Sequence, residues 1–183
     1  TGEVMGIDTT FGRAFVKAQS AAGTELPLGG RVFVSLNDRD KQAAAEIGRA
    51  LVDVGCTVVA TSGTAAVLTA SGIPVERIVG KVSQRDGTGT ASQRHSTATE
   101  SQRHSEPDGD AVSLIESGEI AFVTNTPQDS GTHRDGEAIR KAANVNGVAL
   151  VTTVRAARAA VQGMRERRDR PLAIRSLQEY HGA

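Results

Sequence analysis

From residue 31 the chain alternates short, uncharged, β-branched runs with longer stretches whose apolar residues recur every three or four positions. Such a pattern predicts strands and helices taken in turn. The first strand is predicted over 32–36. The polar run Asn37-Asp38-Arg39-Asp40 then starts a helix whose apolar stripe, Ala44, Ile47, Leu51 and Val54, stops at Gly55. A second strand covers 57–60, and beyond Thr61-Ser62-Gly63-Thr64 a helix over 65–70 ends at Gly72. Within 74–81 a short third strand centres on Arg77, Ile78 and Val79, and a fourth covers 119–124. A helix over 135–143 carries Ala138, Ile139 and Ala142. A fifth strand follows over 147–152, then a long helix over 153–168 and a short one within 172–180. Strands separated by helices need right-handed crossovers, which set them side by side in a parallel sheet covered on both faces. The expected fold class is α/β: a three-layer sandwich with a five-stranded parallel sheet and helices on both faces.

Two regions break the alternation. Ahead of it, residues 9–22 place Phe11, Ala14, Phe15, Ala18 and Ala22 on one helical face. Nothing earlier in the chain can cover that stripe, so the chain is expected to be a fragment whose larger body receives this helix. Residues 25–30, Glu-Leu-Pro-Leu-Gly-Gly, read as a linker. The second break is 83–110, dominated by Ser, Thr, Gly, Gln, Arg and His, with Ser-Gln-Arg-His-Ser at 92–96 and again at 101–105. It holds too little apolar surface to offset its ordering entropy and is predicted to be a disordered insertion. Its His95 and His104 lack the Cys or paired carboxylates of a metal site, so no metal is expected.

Composition narrows the picture. A chain of 183 residues can bury one good core, and with 3% aromatics and no Trp that core must be built from Val, Ile, Leu and Ala. Twenty-one basic residues balance twenty-one acidic ones, which argues against nucleic acid or an acidic membrane as a partner. Cys56 is the lone cysteine, so no internal disulfide can form. It is expected to be a buried structural thiol in a reducing, cytoplasmic setting. No apolar run approaches the ~20 residues that span a bilayer.

In an open parallel sheet ligands bind beyond the carboxyl ends of the strands. Lys41 follows the first strand, Thr61-Ser62-Gly63-Thr64 the second, Lys81 the third, Asn125, Thr126 and Pro127 the fourth, and Thr152 and Thr153 the fifth. Thr61-Ser62-Gly63-Thr64 carries the strongest signal. A strand turning there into a helix leaves free backbone N–H groups among three hydroxyls, with Gly63 open to close approach, and suits a phosphate. No His or carboxylate among these positions stands out as a general base, so binding is favoured over catalysis.

These residues match a known family. The chain resembles the C-terminal end of the large subunit of carbamoyl phosphate synthetase, whose regulatory domain has the methylglyoxal synthase-like fold. The opening Thr-Gly-Glu-Val-Met-Gly, with Phe11, Ala14, Phe15, Lys17, Ala18 and Gln19, looks like the end of the second ATP-using half. Asp40-Lys41 with Ala60-Thr61-Ser62-Gly63-Thr64 looks like the regulatory domain's phosphate grip. Lys81-Val82, Asn125-Thr126, Ile139-Arg140 and Thr152-Thr153 complete the match. The resemblance implies three parts: residues 1–23 as the end of the preceding synthetase domain, 24–30 as a linker, and 31–183 as the allosteric domain. It implies a site for UMP, with IMP as a second effector, that regulates carbamoyl phosphate formation for pyrimidine and arginine biosynthesis. Lys41, Thr61, Ser62, Gly63 and Thr64 would hold the phosphate. Lys81, Asn125 and Thr126 would meet the sugar or base, and Thr152 would be a second effector contact. ATP, Mg and K ions and a glutaminase small subunit would belong to the full-length ligase, leaving this piece non-catalytic. Pro127 stands where several members carry a threonine, and Val151 precedes Thr152 where some bacterial members carry Asp. Rival readings are a methylglyoxal synthase acting on dihydroxyacetone phosphate, the cyclohydrolase domain of purine synthesis, and an interaction module with a vestigial pocket. The enzymes' own motifs, Gly-Gly-Asp after the third strand and Asp-Gly-Arg-Val-Lys-Thr, are absent.

Overall fold

The computed structural model describes residues 3–82, 109–127 and 133–182. Five strands, β1 (Gly30–Ser35), β2 (Cys56–Ala60), β3 (Arg77–Ile78), β4 (Ile120–Asn125) and β5 (Ala149–Val151), form one sheet in the order β3-β2-β1-β4-β5. Every neighbouring pair is parallel. The helices are α1 (Phe11–Ala21), α2 (Ala44–Asp53), α3 (Ser62–Ala70), α4 (Ala111–Glu116), α5 (His133–Val145), α6 (Val154–Asp169) and α7 (Leu177–His181). Side chains alternate across the sheet as the pleat requires. Val32, Val34, Val58, Ala60 and Phe122 join the core with α2, α3 and α6, whereas Phe33, Val59 and Val123 join the core with α4 and α5. The expected three-layer sandwich is therefore what forms, and Cys56 is buried within it, its thiol pushed up by desolvation.

The chain departs from the sequence pattern in four places. α4 has no counterpart in it, because six residues are too few to display a helical period. Asp110 caps α4 through its carboxylate, which accepts the Ser113 N–H at 2.9 Å, and Leu114 and Ile115 are buried. Gly109 and Asp110 fall within the predicted insertion but lie beside Gly80, whose N–H donates to the Gly109 carbonyl at 3.0 Å. The rest of the predicted insertion, with His95 and His104, lies outside the described residues.

The second departure is α1. Its buried residues are Gly12, Arg13 and Val16, and Phe11 is 69% exposed, so the face that packs on α6 is a different one from the Phe11–Ala22 stripe, which is expected to meet a larger body. Docking is set by backbone approach instead. A Cβ on Gly12 would lie 2.9 Å from the Gly163 nitrogen of α6, and Thr10, the N-cap of α1, donates to Glu166. Third, Leu26 in the expected linker is 1% exposed, and its carbonyl accepts from Arg167 at 3.0 Å. Fourth, the last helix begins only at Leu177, where Ser176 and Glu179 form a reciprocal capping box.

Both ends of the described chain meet at Arg13. Its guanidinium donates to the Arg170 carbonyl at 2.8 Å and the Pro171 carbonyl at 2.9 Å, and it pairs with Asp8 at 3.2 Å. Lys17 holds the other Asp8 oxygen at 2.9 Å. Burial would raise the Asp8 carboxyl, but hydrogen bonds from Lys17, the Thr9 N–H and Arg13 outweigh it and hold the group well below the carboxylate range. Its folded form is thus favoured above the unfolded-chain value of about 3.9, and that stability is lost as pH falls through the range beneath it. Asp8→Asn is accordingly expected to lower the melting temperature at neutral pH. The gap to the wild type should close as pH drops below about 4. A gap that stays constant down to acid pH would contradict the assignment.

Candidate functional site

The strand order reverses between β1 and β4, since β1 leads outward to β2 while β4 leads outward to β5. Loops leaving the carboxyl ends of these two strands diverge and open a crevice. At its floor, the Thr64 hydroxyl accepts the Leu36 N–H at 3.0 Å and the Thr126 hydroxyl accepts the Asn37 N–H at 2.8 Å. The Thr126 N–H in turn donates to the Ser35 carbonyl at 2.9 Å. Asn37 spans the crevice wall: its amide donates to Asp40 and to the Pro127 carbonyl, both at 2.9 Å, and its Oδ1 accepts the Asp40 N–H at 2.9 Å. Thr64 and Thr126, both expected to face a ligand, are instead 0% and 1% exposed and tie the loops together. Asn37 was not singled out from sequence. Its signal was there: an Asn three residues before an Asp after a strand is an Asx-turn pattern.

One end of the crevice is the first turn of α3. Thr61 sits at the N-cap without using its side chain to cap, and no backbone acceptor meets the Ser62 and Gly63 N–H groups. The Thr61 hydroxyl instead lies within hydrogen-bond reach of the Ser35 and Thr64 hydroxyls, each at 3.3 Å. Lys41 arrives from the 3₁₀ turn Lys41–Ala43, and its Nζ would lie 2.9 Å from a Cβ on Gly63. A half-buried ammonium thus stands against the first turn of α3, where open amides and the positive end of a helix stabilise a phosphate oxygen. The ammonium's partner is Asp38, whose carboxyl the Lys41 hydrogen bond holds below its usual range. Asp38 is 79% exposed, so an incoming anion can displace it.

At the other end, Asn125 closes β4 and is 2% exposed, yet its Oδ1 meets no donor. Gly136 in the first turns of α5 passes over it, with Arg140 alongside. Lys81 and Thr152 stand further out. They follow β3 and β5, the two edge strands, four strand spacings apart, or roughly 19 Å at ~4.8 Å each. Lys41, Thr61, Ser62 and Gly63 are therefore brought together, with Asn125 on the far wall of the same crevice.

A groove of about 610 Å³ lies elsewhere, between α2 and α6. Its charged lining is paired: Glu46 with Arg158, and Arg165 with Asp53. No cluster of three His, Cys, Asp or Glu side chains among the described residues could hold a metal ion, and no described helix is long and apolar enough to cross a membrane.

Comparison with known families agrees with this layout, because the model of the MGS-like domain matches residues 43–152, from the turn carrying Ala43 to the end of β5. The chain belongs to the MGS-like domain family. Over its whole length this MGS-like domain is 39% identical to the carbamoyl phosphate synthase large chain of Synechocystis sp. and 40% identical to that of Rubrobacter xylanophilus. Over 99% of its length it is 41% identical to the corresponding chain of Mycobacterium tuberculosis. It spans about 15% of the length of each of these relatives. The likeness runs through α1 and the N-terminal segment as well as through the sheet, so the MGS-like domain and its preceding helix occur together in those large chains.

Proposed function

We propose that this MGS-like domain is the effector-binding part of a carbamoyl phosphate synthase large chain. In this reading it takes UMP, or IMP, at the crevice between β1 and β4. The observation that carries the reading is the Lys41 ammonium set over the open first turn of α3 at the sheet's reversal point. Lys41, Ser62 and Gly63 bind the phosphate, and Thr61 adds a hydroxyl. Asn125 lies on the side where the sugar and base extend. Carboxylates near the phosphate end are engaged, Asp38 with Lys41 and Asp40 with Asn37, which supports binding rather than transformation. Formation of methylglyoxal from dihydroxyacetone phosphate by the purified chain would overturn that choice.

Residues 31–183 then form the allosteric unit, and residues 1–23 belong with the synthetase body, which covers the exposed Met5 and Phe11. ATP with Mg and K ions, and the glutaminase small subunit, act on that body. Regulation follows from linkage: an effector that prefers the domain in the less active state shifts the whole enzyme toward it, and substrates favouring the active state weaken the effector in return. The test is calorimetric titration of the chain with UMP, IMP and inorganic phosphate, paired with carbamoyl phosphate formation by the intact large chain and its glutaminase with and without UMP. Binding of UMP to the chain with no effect on the intact enzyme would reduce the pocket to a vestige. Absence of binding would remove the proposal.

A further inference from the structure

Exposed apolar surface among the described residues is gathered at the two ends of the chain. Of nine large hydrophobic side chains left in water, six are Val4, Met5, Ile7 and Phe11 at one end and Ile174 and Leu177 at the other. Such residues need no explanation when scattered singly, but a cluster of them marks a surface that something covers.

The fold brings the two ends side by side. Arg13 at the start of α1 grips the Arg170 and Pro171 carbonyls. Further on, Tyr180 of α7 lies against the opening segment. Its hydroxyl accepts from Lys17 Nζ at 2.7 Å and donates to the Ile7 carbonyl at 3.0 Å. Lys17 also donates to the Ile7 carbonyl at 3.1 Å, and its ammonium stands 5.4 Å from the centre of the Tyr180 ring. α7 is otherwise poorly supported. It has five residues and none of them is buried, and a helix that short is not stable in water by itself. The Ser176–Glu179 capping box and the Tyr180 hydroxyl are what hold it. Polar ties of this segment are thus spent within the chain, while Ile174 and Leu177 are left open to a partner.

The page also says what that partner is. The likeness to the large chains runs over the whole of this chain, α7 included, yet the chain spans only about 15% of their length. A body that covers Met5 and Phe11 must also meet α7, because Tyr180 fastens α7 to the same opening segment. A body joined covalently is present at a high effective concentration, which a second copy of the chain does not match. Building on the reading of this domain as part of such a large chain, we propose that residues 170–181, with α7, complete the face on which the remainder of the large chain docks. Ile174 and Leu177 supply its apolar contacts on this side.

The test is hydrogen exchange over residues 172–182, read by mass spectrometry in the 183-residue chain and in the intact large chain. Exchange there is expected to be at least about tenfold slower in the intact large chain, because docking protects α7. Ile174→Asp and Leu177→Asp each put a carboxylate into the contact and are expected to remove that protection. Both positions are exposed, and a carboxylate at 177 falls in the first turn of α7, where it suits the helix. The melting temperature of the 183-residue chain should therefore stay unchanged in both variants, which reports that they are folded. Equal exchange in the two forms, or protection that survives both substitutions, overturns the proposal. Self-association of the 183-residue chain that either substitution abolishes would give the face to a second copy and overturn it likewise. Failure of UMP to bind would remove the effector reading and leave this result untouched.

Discussion

Lys41→Ala is expected to weaken UMP and inorganic phosphate alike by about ten- to 150-fold, the equivalent of losing one charge-assisted hydrogen bond worth about 1.5–3 kcal/mol. The melting temperature should hardly move, because the lysine's partner in the free protein is the exposed Asp38, and exposed ion pairs contribute little. Gly63→Ala offers a second route to the same outcome. Its added methyl would stand 2.9 Å from Nζ, and the contact is relieved by swinging the flexible lysine away from α3. Equal losses for phosphate and nucleotide would place the lysine at the phosphate. A loss confined to UMP would move it toward the base, and unchanged affinity for both would remove it from the site.

Gly163→Ala is expected to cost about 1–3 kcal/mol through overpacking. The new Cβ would sit 2.3 Å from Val16 Cγ2 and 2.5 Å from the Gly12 carbonyl oxygen. A side chain can turn aside, but the carbonyl belongs to the backbone of α1, so the whole helix must lift off α6. In a chain of this size the change corresponds to a melting-temperature drop of roughly 2–12 °C if unfolding stays cooperative. If α1 instead opens on its own, hydrogen exchange across residues 11–21 should accelerate while β1 and β4 remain protected. Unaltered stability and unaltered exchange would mean that the glycine contact does not hold α1 in place.

How much was legible follows from what each feature depends on. The strands and α2, α3, α5 and α6 could be read because uncharged β-branched runs and helical stripes are local signals that the core rewards directly. The docking face of α1 could not. Counting apolar side chains favours Phe11 and Phe15, yet what buries the helix is the absence of side chains at Gly12 and Gly163, 151 positions apart. α4 escaped notice because Asp110 and Gly80, which anchor it, are separated by the very stretch that looks least structured. At the crevice, residue types were readable and orientations were not. Thr64 and Thr126 have the right chemistry for a ligand but spend it on the N–H groups of Leu36 and Asn37.

The pairing of Arg31 with Ile120 closes a loop of about 90 residues. Shortening that loop by about ten residues within 83–108 would change its closure entropy by only ~0.1 kcal/mol. Evolution can therefore lengthen or trim the stretch after Lys81 almost without thermodynamic consequence, provided Gly80 still finds Asp110. The length of the connection between β3 and α4 is thus free to vary, while the sheet that carries the crevice stays put.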